Sequence, residues 1–419
     1  MIKKILLLIS VIALMSIYPL SASSQYYEFR TLDGKDYVED ENTKIIDHVV
    51  YRLCTSSVDK HYDVYDWFDS KETFETLEEI NIVSEIDGIK VKGIMCRLFY
   101  DDETGFNHNY VGYYHNYSVK KVTIPDTIEK IGEGAFSIFD GLEELVVPAS
   151  VNFNESHCFD YMENLKNLTF LGDIYYLPDD ISDKLENVTI NGSVILISGG
   201  AFENCTSLKS FKLFGNLGGE FLGTTGGFGG SVFKNCTSLE EVVLPKETDN
   251  FKIYNSDFEG CTSLKSITLP ETCGELTIGE NAFRGCTSLE TVTLPANCDS
   301  ITIGYRAFRD CKNLTTVNNT DNITKIYGGA FRDCTSLKRF TVSDKTTMIG
   351  KNAFYGCKNL KTVTVNSKTK APKLYANAFA KTNSALTFTA KNATAAKSWK
   401  SALTKSGLKN AKVGYMHYV

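Results

Sequence analysis

After the first 15 residues the chain holds no further long apolar run, and a transmembrane helix needs about 20 consecutive apolar residues, so a membrane-spanning role is not expected. No Cys occurs before Cys54, which argues against a lipid-anchored N-terminus. Acidic residues are missing from one end: residues 366–419 contain ten Lys and no Asp or Glu, leaving 34 basic against 51 acidic residues elsewhere. Those lysines are scattered among Ala, Thr and Asn without interleaved aromatics, so no nucleic-acid partner is expected. Two readings of this basic end stand side by side: attraction to an anionic polymer or glycan, or the solvated face of a terminal cap.

What is present begins with an export pattern. Lys3 and Lys4 precede an apolar run from Ile5 to Met15 and small residues at Ser21, Ala22 and Ser23, the layout of a secretory signal peptide over residues 1–24. The expected location is therefore secreted, extracellular or at the cell surface.

Downstream, one dipeptide recurs: Ala135-Phe136, Ala201-Phe202, Ala282-Phe283, Ala307-Phe308, Ala330-Phe331, Ala353-Phe354 and Ala378-Phe379, with Phe233 and Phe258 in the same place without the Ala. From Phe258 onward the Phe spacings are 25, 25, 23, 23 and 25 residues, which is the signature of a stacked array. After each Phe from Phe202 to Phe354 comes a Cys, then a Leu that opens an apolar alternation, as in Cys286-Thr-Ser-Leu289 followed by Val292 and Leu294. Period-two alternation predicts one short strand per unit, ended by a Pro such as Pro270 or Pro295 and closed by an Ile-Gly pair such as Ile278-Gly279, read as a flexible turn. Strand openings from Leu77 to Leu360 number about 12. At roughly 4.8 Å per stacked strand the array spans on the order of 55 to 60 Å. Residues 25–75 are read as an N-terminal cap, 76–389 as the array and 390–419 as a C-terminal cap that places Trp399 and Leu403 on one helical face.

The unit A-F-x-x-C-x-S-L-x-x-V-x-L-P-x(n)-I-G resembles the BspA-like class of leucine-rich repeats, over roughly residues 76–389. The resemblance implies a repeat solenoid of about 12 coils of 23–25 residues with one parallel sheet. It also likens Ile80–Ile94 to the common first coil of the class and Ile46–Leu53 to its initial hairpin. For function it implies adhesion or protein binding, with no specific ligand.

Candidate sites follow from the unit. The outward strand position reads Thr123, Val146, Thr169, Lys212, Val243, Thr268, Thr293, Asn318, Thr341 and Thr364. This column lacks His, Asp, Glu and Cys, so it offers none of the paired groups that acid-base or metal chemistry needs. It reads either as threonine placed for β propensity or as an uncharged docking surface, with Thr268, Thr293, Thr341 and Thr364 as candidate contacts. The insertion Arg97–Tyr117 carries Tyr110, Tyr113, Tyr114 and Tyr117 and reads either as a binding loop for a protein or glycan or as a flap over the first coils. Asp101, Asp102, His108 and His115 in or beside it match no closed metal motif, and no metal or other cofactor is expected. A second insertion, Phe214–Gly230, has eight glycines but lacks the Gly-Lys-Ser/Thr ending of a phosphate loop. His61-Tyr-Asp-Val-Tyr-Asp66 shows no catalytic spacing and reads as a solvated acidic loop, so the chain is not expected to be an enzyme.

Eight of the twelve cysteines (Cys158, Cys205, Cys236, Cys261, Cys286, Cys311, Cys334, Cys357) share one repeat position. They read as a buried column of free thiols rather than a disulfide framework. Cys273 and Cys298, 25 residues apart in another column, are the best-placed pair for a bond, and Cys54 with Cys96 a weaker one.

Overall fold

The computed structural model describes residues 42–415 apart from 56–59, 67–75, 95–115, 133, 137, 152–161, 163, 178–180, 182, 216–229, 247–249 and 268. All belong to one compact unit, Asp36–Phe99 with His108–Val419. The signal segment, Tyr110, Tyr113, Tyr114, Thr268, Cys96, Cys158 and most of the glycine-rich insertion lie outside the described residues.

The unit is a β-solenoid of about 11 turns. Its front strands follow the Leu-initiated alternation except in the coil of Leu264, where residues 264–267 and 269–270 form no strand and the front ladder is interrupted. Glu79–Asn81, Lys121–Thr123, Glu144–Val147, Asn167–Phe170, Asn187–Ile190, Ser210–Leu213 and Glu241–Val243 form one parallel sheet. Thr291–Thr293, Thr316–Asn318, Arg339–Val342, Thr362–Val365, Thr387–Ala390 and Lys412–Tyr415 hold the same position in later coils. Register follows the apolar pattern: Leu145, Leu168, Val188, Phe211 and Val242 are direct neighbours down the sheet, and all are buried. A slip of one residue would turn this column outward, so the hydrophobic pattern itself fixes the pairing.

A second parallel sheet accompanies the expected one. Asn250–Ile253, Thr272–Ile278, Asn297–Ile303, Ile323–Ile326, Met348–Ile349 and Lys373–Leu374 run in order along the back. They were hidden in the variable spacer between Pro and Ile. Leu276 and Ile278 point inward and Thr277 outward, the same period of two as the front, and Ile253, Ile278 and Ile303 stack as neighbours. Back-strand length varies from coil to coil: seven residues in the coils ending at Phe283 and Phe308, four in that ending at Phe331 and two in those ending at Phe354 and Phe379.

The third side is the Ala-Phe turn. Eight Phe rings from Phe202 to Phe379 stack with centroids 4.9–5.3 Å apart and planes within 16° of parallel. The turn also carries its own backbone ladder, Phe283 N to Ala307 O and Phe308 N to Ala330 O among its rungs at 2.7–2.8 Å. The residue before each Cys is left-handed: Asn204, Asn235, Gly260, Gly285, Asp310, Asp333 and Gly356. Asn, Asp and Gly are the residues for which that conformation costs least, which is why the Cys is preceded by one of the three in these coils.

The Ile-Gly pairs serve another purpose than the flexible turn expected of them. A Cβ on Gly304 would lie 2.6 Å from the Ile278 carbonyl oxygen, and one on Gly350 would lie 2.5 Å from Gly328 N. Neither glycine has a positive φ. Close approach of successive coils, not backbone freedom, requires glycine there.

At the N-terminal end Thr43–Ile46 and Val49–Thr55 make the hairpin expected over Ile46–Leu53, turned by left-handed Asp47 and His48. Val49–Thr55 pairs antiparallel with Lys60–Asp66, which runs parallel to Ile89–Ile94. At the other end the helix Ala393–Lys405 is N-capped by Asn392, whose side chain accepts from Ala395 N, and buries Trp399 and Leu403. The Trp399 indole donates to Ser367 Oγ at 3.1 Å. The front sheet continues past this helix, since Lys412–Tyr415 pairs in parallel with Thr387–Ala390.

Each inner ring contacts two others, so truncating one leaves a cavity the stack cannot close. We expect Phe308→Ala to cost about 3 to 5 kcal/mol in urea unfolding followed by circular dichroism, and Phe308→Leu distinctly less.

Candidate functional site

The front sheet presents its odd-parity side chains to solvent, and its central outward column is the one anticipated. Thr123, Thr293 and Asn318 are exposed, and Val146, Thr169, Lys212, Val243, Thr341 and Thr364 half-buried. Thr189, on the short coil without an Ala-Phe pair, joins the column between Thr169 and Lys212, and Thr389 extends it beyond Thr364. Asn318 Nδ2 donates to Thr293 Oγ1 at 3.2 Å. The candidates Thr341 and Thr364 are direct register neighbours. Tyr117 is 62% exposed but belongs to the coil of Thr123, towards the other end of the column from Thr341 and Thr364. The structure therefore does not gather the described candidates into one patch.

Beside this column runs a charged row that the sequence displays but that composition alone conceals. The residue after each strand-opening Leu alternates in sign: Glu143, Lys166, Glu186, Lys209, Glu240, Lys265, Glu290. Stacking pairs them, Lys166–Glu143 at 2.9 Å, Lys209–Glu186 at 2.6 Å and Lys265–Glu240 at 2.9 Å. The hydrogen bonds from Lys209 and Lys265 hold the Glu186 and Glu240 carboxyls below their ordinary range. Exposed pairs of this kind contribute little stability, but they cancel the charge of the surface they line. After Glu290 the alternation ends: Thr315, Lys338 and Lys361 follow, and residues 334–419 contain 16 basic residues and a single acidic one, Asp344.

The cysteine column behaves as read from Cys205 to Cys357, but not at Cys158: in that coil the place three residues before the strand-opening Leu165 is held by buried Met162, whose carbonyl accepts from Leu165 N as that of Cys205 does from Leu208 N. Cys236, Cys261, Cys286, Cys311, Cys334 and Cys357 each donate to the carbonyl of the Phe one coil back at 3.0–3.1 Å. Burial pushes Cys205 up to about 11 and the deeper thiols further. Cys273 and Cys298, neighbours across the back sheet with Cα atoms 4.8 Å apart, form the disulfide anticipated for them.

Asp257 was not anticipated as special. It occupies the position that Ala282, Ala307 and Ala330 fill in other coils, is fully buried, and accepts from Tyr254 N at 2.6 Å and Val232 N at 3.4 Å. Burial raises its carboxyl to about 8 against those two hydrogen bonds.

The segment His61–Asp66, expected as a solvated acidic loop, is instead part of the strand Lys60–Asp66. Tyr62 and Val64 point inward and are buried, so the alternation of apolar and polar residues makes it a strand. His61 and Asp63 fall on the opposite face beside Cys54, where burial and then Asp63 push the Cys54 thiol up to about 12. Asp101, Asp102, His108 and His115 lie outside the described residues. Among the described residues no helix is long and apolar enough to cross a membrane.

A solenoid with two parallel sheets, stacked Phe turns and a Leu-initiated front strand defines a leucine-rich repeat protein. The sequence profile of the BspA type leucine rich repeat region matches it in 6 copies over residues 109–219, 226–302 and 251–387, and the chain belongs to that family. Similar solved structures include a leucine-rich repeat protein from Bacteroides ovatus ATCC 8483 (19% identity, 89% of this chain and 100% of that one, TM-score 0.36). Others are the pneumococcal vaccine antigen PcpA (16%, 90% and 99%, TM-score 0.30) and a leucine rich cell surface protein from Faecalibacterium prausnitzii A2-165 (17%, 91% and 96%, TM-score 0.28). No curated protein matches the chain.

Two outcomes test the buried groups. In the unfolded chain Asp257 releases its proton near 4 and in the folded chain near 8, so between these values the unfolded state binds fewer protons. The contribution of Asp257 is complete below about pH 4 and declines up to about pH 8. Asp257→Ala is expected to remove that decline: the stability of the natural chain relative to the variant falls by up to several kcal/mol from pH 4 to pH 8 in parallel denaturant titrations. Separately, the thiols of Cys205, Cys236, Cys261, Cys286, Cys311, Cys334 and Cys357 are expected to stay unreactive to an aromatic disulfide reagent in the native protein and to react fully in denaturant.

Proposed function

We propose that this chain is an exported, non-catalytic binding protein that docks an extracellular protein across the front face of its solenoid, with the tyrosine-rich segment 97–117 as an auxiliary contact. The observation that carries the reading is the outward column of Thr293, Asn318, Thr341, Thr364 and Thr389, uncharged and hydrogen-bonding, with Thr293 in register with Asn318 on one parallel pair and Thr341, Thr364 and Thr389 in register on the next sheet. Such a surface loses little conformational entropy on docking, and an array of this many coils supplies the roughly 1,000 Å² that a specific protein interface needs. Export is supported by the pattern of residues 1–24 and by the Cys273–Cys298 bond, since disulfides persist in oxidising compartments. A glycan partner is the second reading, favoured by the exposure of Tyr117 (62%), Tyr175 (49%) and Tyr305 (53%), whose rings offer stacking faces for sugars.

The test is a binding screen of residues 25–419 against arrays of extracellular-matrix proteins and glycans. It carries one variant with Thr293, Thr341 and Thr364 changed to Glu and another with Tyr110, Tyr113 and Tyr114 changed to Ala. We expect a saturable protein hit weakened at least about tenfold by the Thr variant, as three buried like charges at an interface would impose. A hit confined to glycans, or a protein hit indifferent to both variants, overturns the reading.

A further inference from the structure

The antiparallel pair Val49–Thr55 and Lys60–Asp66, next to the first hairpin, carries a group of side chains that neither the repeat nor the front face uses. Cys54 and His61 stand directly opposite each other in the antiparallel pairing of Val49–Thr55 with Lys60–Asp66, and Asp63 follows His61 by two residues on the same face. Cys54 Sγ lies 3.2 Å from Asp63 Oδ2, and His61 Nε2 lies 3.4 Å from Asp63 Oδ1. One sulfur, one nitrogen and one oxygen ligand atom thus fall within 4.8 Å of one another, all on half-buried side chains. We infer that Cys54, His61 and Asp63 form a binding site for one divalent cation of the zinc type.

Zinc–ligand bonds of roughly 2.0–2.3 Å at tetrahedral angles place ligand atoms about 3.3 to 3.7 Å apart. The approaches of Asp63 to Cys54 and His61, at 3.2 and 3.4 Å, are close to that spacing, and the Cys54–His61 edge, within 4.8 Å, is the one that side-chain rotation must close. The ligand set selects among metals: thiolate and imidazole suit zinc and neighbouring transition ions, whereas calcium and magnesium demand oxygen ligands throughout. Three protein ligands leave a fourth position for water. On binding, the Cys54 thiol gives up to solvent the proton it shares with Asp63, the thiolate and carboxylate take the cation, and neutral His61 adds its lone pair. Arg52, opposite Asp63 in the ladder, is the cation that competes for this face, and its guanidinium rests over the Tyr65 ring at 5.0 Å. The site ties two strands together across a hairpin whose outer neighbour is only the four-residue strand Thr43–Ile46. Metal held there stabilises the end of the solenoid where coils have a neighbour on one side alone.

Cobalt(II) added to the full mature chain reads this directly. The expected result is uptake of one equivalent with a thiolate-to-cobalt charge-transfer band, displaced by zinc, and a rise of several degrees in the unfolding temperature of the zinc-loaded protein. Cys54→Ser, His61→Ala and Asp63→Asn are each expected to weaken uptake at least about tenfold while leaving the metal-free unfolding temperature within a few degrees. Folded wild-type protein that takes up no cobalt overturns the inference, as does uptake unchanged in the Asp63→Asn protein. Isolation of Cys54 in a disulfide with Cys96 overturns it too, because the thiolate ligand would not exist. Should Cys54→Ser or His61→Ala fail to fold, the wild-type spectrum and Asp63→Asn still decide.

Discussion

Everything in this protein follows from the coil-to-coil backbone hydrogen bond and the spacing it imposes. Strands joined by that bond lie about 4.8 Å apart, and here the constraint applies on the front sheet, on the back sheet and again at the Ala-Phe turn. Three ladders leave a coil no freedom to rise more or less than its neighbours. The Phe rings consequently meet at 4.9–5.3 Å, wide enough for parallel stacking and too close for any larger ring arrangement. The same spacing explains Gly304 and Gly350, where the preceding coil's backbone occupies the space a Cβ would need.

It also decides the chemistry of sulfur. Cys273 and Cys298 sit on paired back strands, with side chains projecting from directly opposed residues, and they bond. The Cys of the repeat column sits after a left-handed residue and aims its sulfur at the Phe carbonyl one coil back, so successive thiols satisfy the backbone rather than each other. Two columns with equal spacing thus end in different oxidation states because the direction of the Cβ bond, not the separation of the coils, differs. Buried as they are, the column thiols also stay protonated through the whole physiological range.

Much of this was legible beforehand, and the omissions have physical causes. Recurrence of Ala-Phe, Cys and Leu made the coil, the front strand and the thiol column readable because identical residues return at identical places. The back sheet escaped because its strands vary in length from two to seven residues and lie in a spacer with no fixed period, although Cys273-Gly-Glu-Leu276-Thr-Ile278 ends on the same alternation as the front. His61–Asp66 reads as a loop from its charges, whereas the period of two of Tyr62 and Val64 makes it a strand with its charged residues on the other face. The coil opening at Leu185 is legible as a strand opening without the Ala-Phe marker, but its outward Thr189 is placed in the column only by pairing in register with both neighbours. The triad of Cys54, His61 and Asp63 could not be read at all without the pairing that brings residue 54 opposite residue 61.

A repeat array makes specificity a matter of departures. Where each coil repeats the last, the surface is a ladder of hydroxyls and alternating ion pairs, and a ligand shifted by one or two coils would meet nearly the same contacts. Register along the stack must therefore come from positions where the pattern breaks. Lys212 interrupts the Thr column and pairs with Glu241 at 2.9 Å, and the Glu/Lys alternation ends at Glu290, beyond which the surface turns basic. That boundary falls after the coil of Thr293, so a partner spanning Asn318 to Thr364 would meet a neutral column bordered by Lys338 and Lys361 and by no compensating carboxylate in that row. An acidic rim on the partner would then fix which coils it occupies, by long-range attraction that raises association rate more than affinity and weakens with salt.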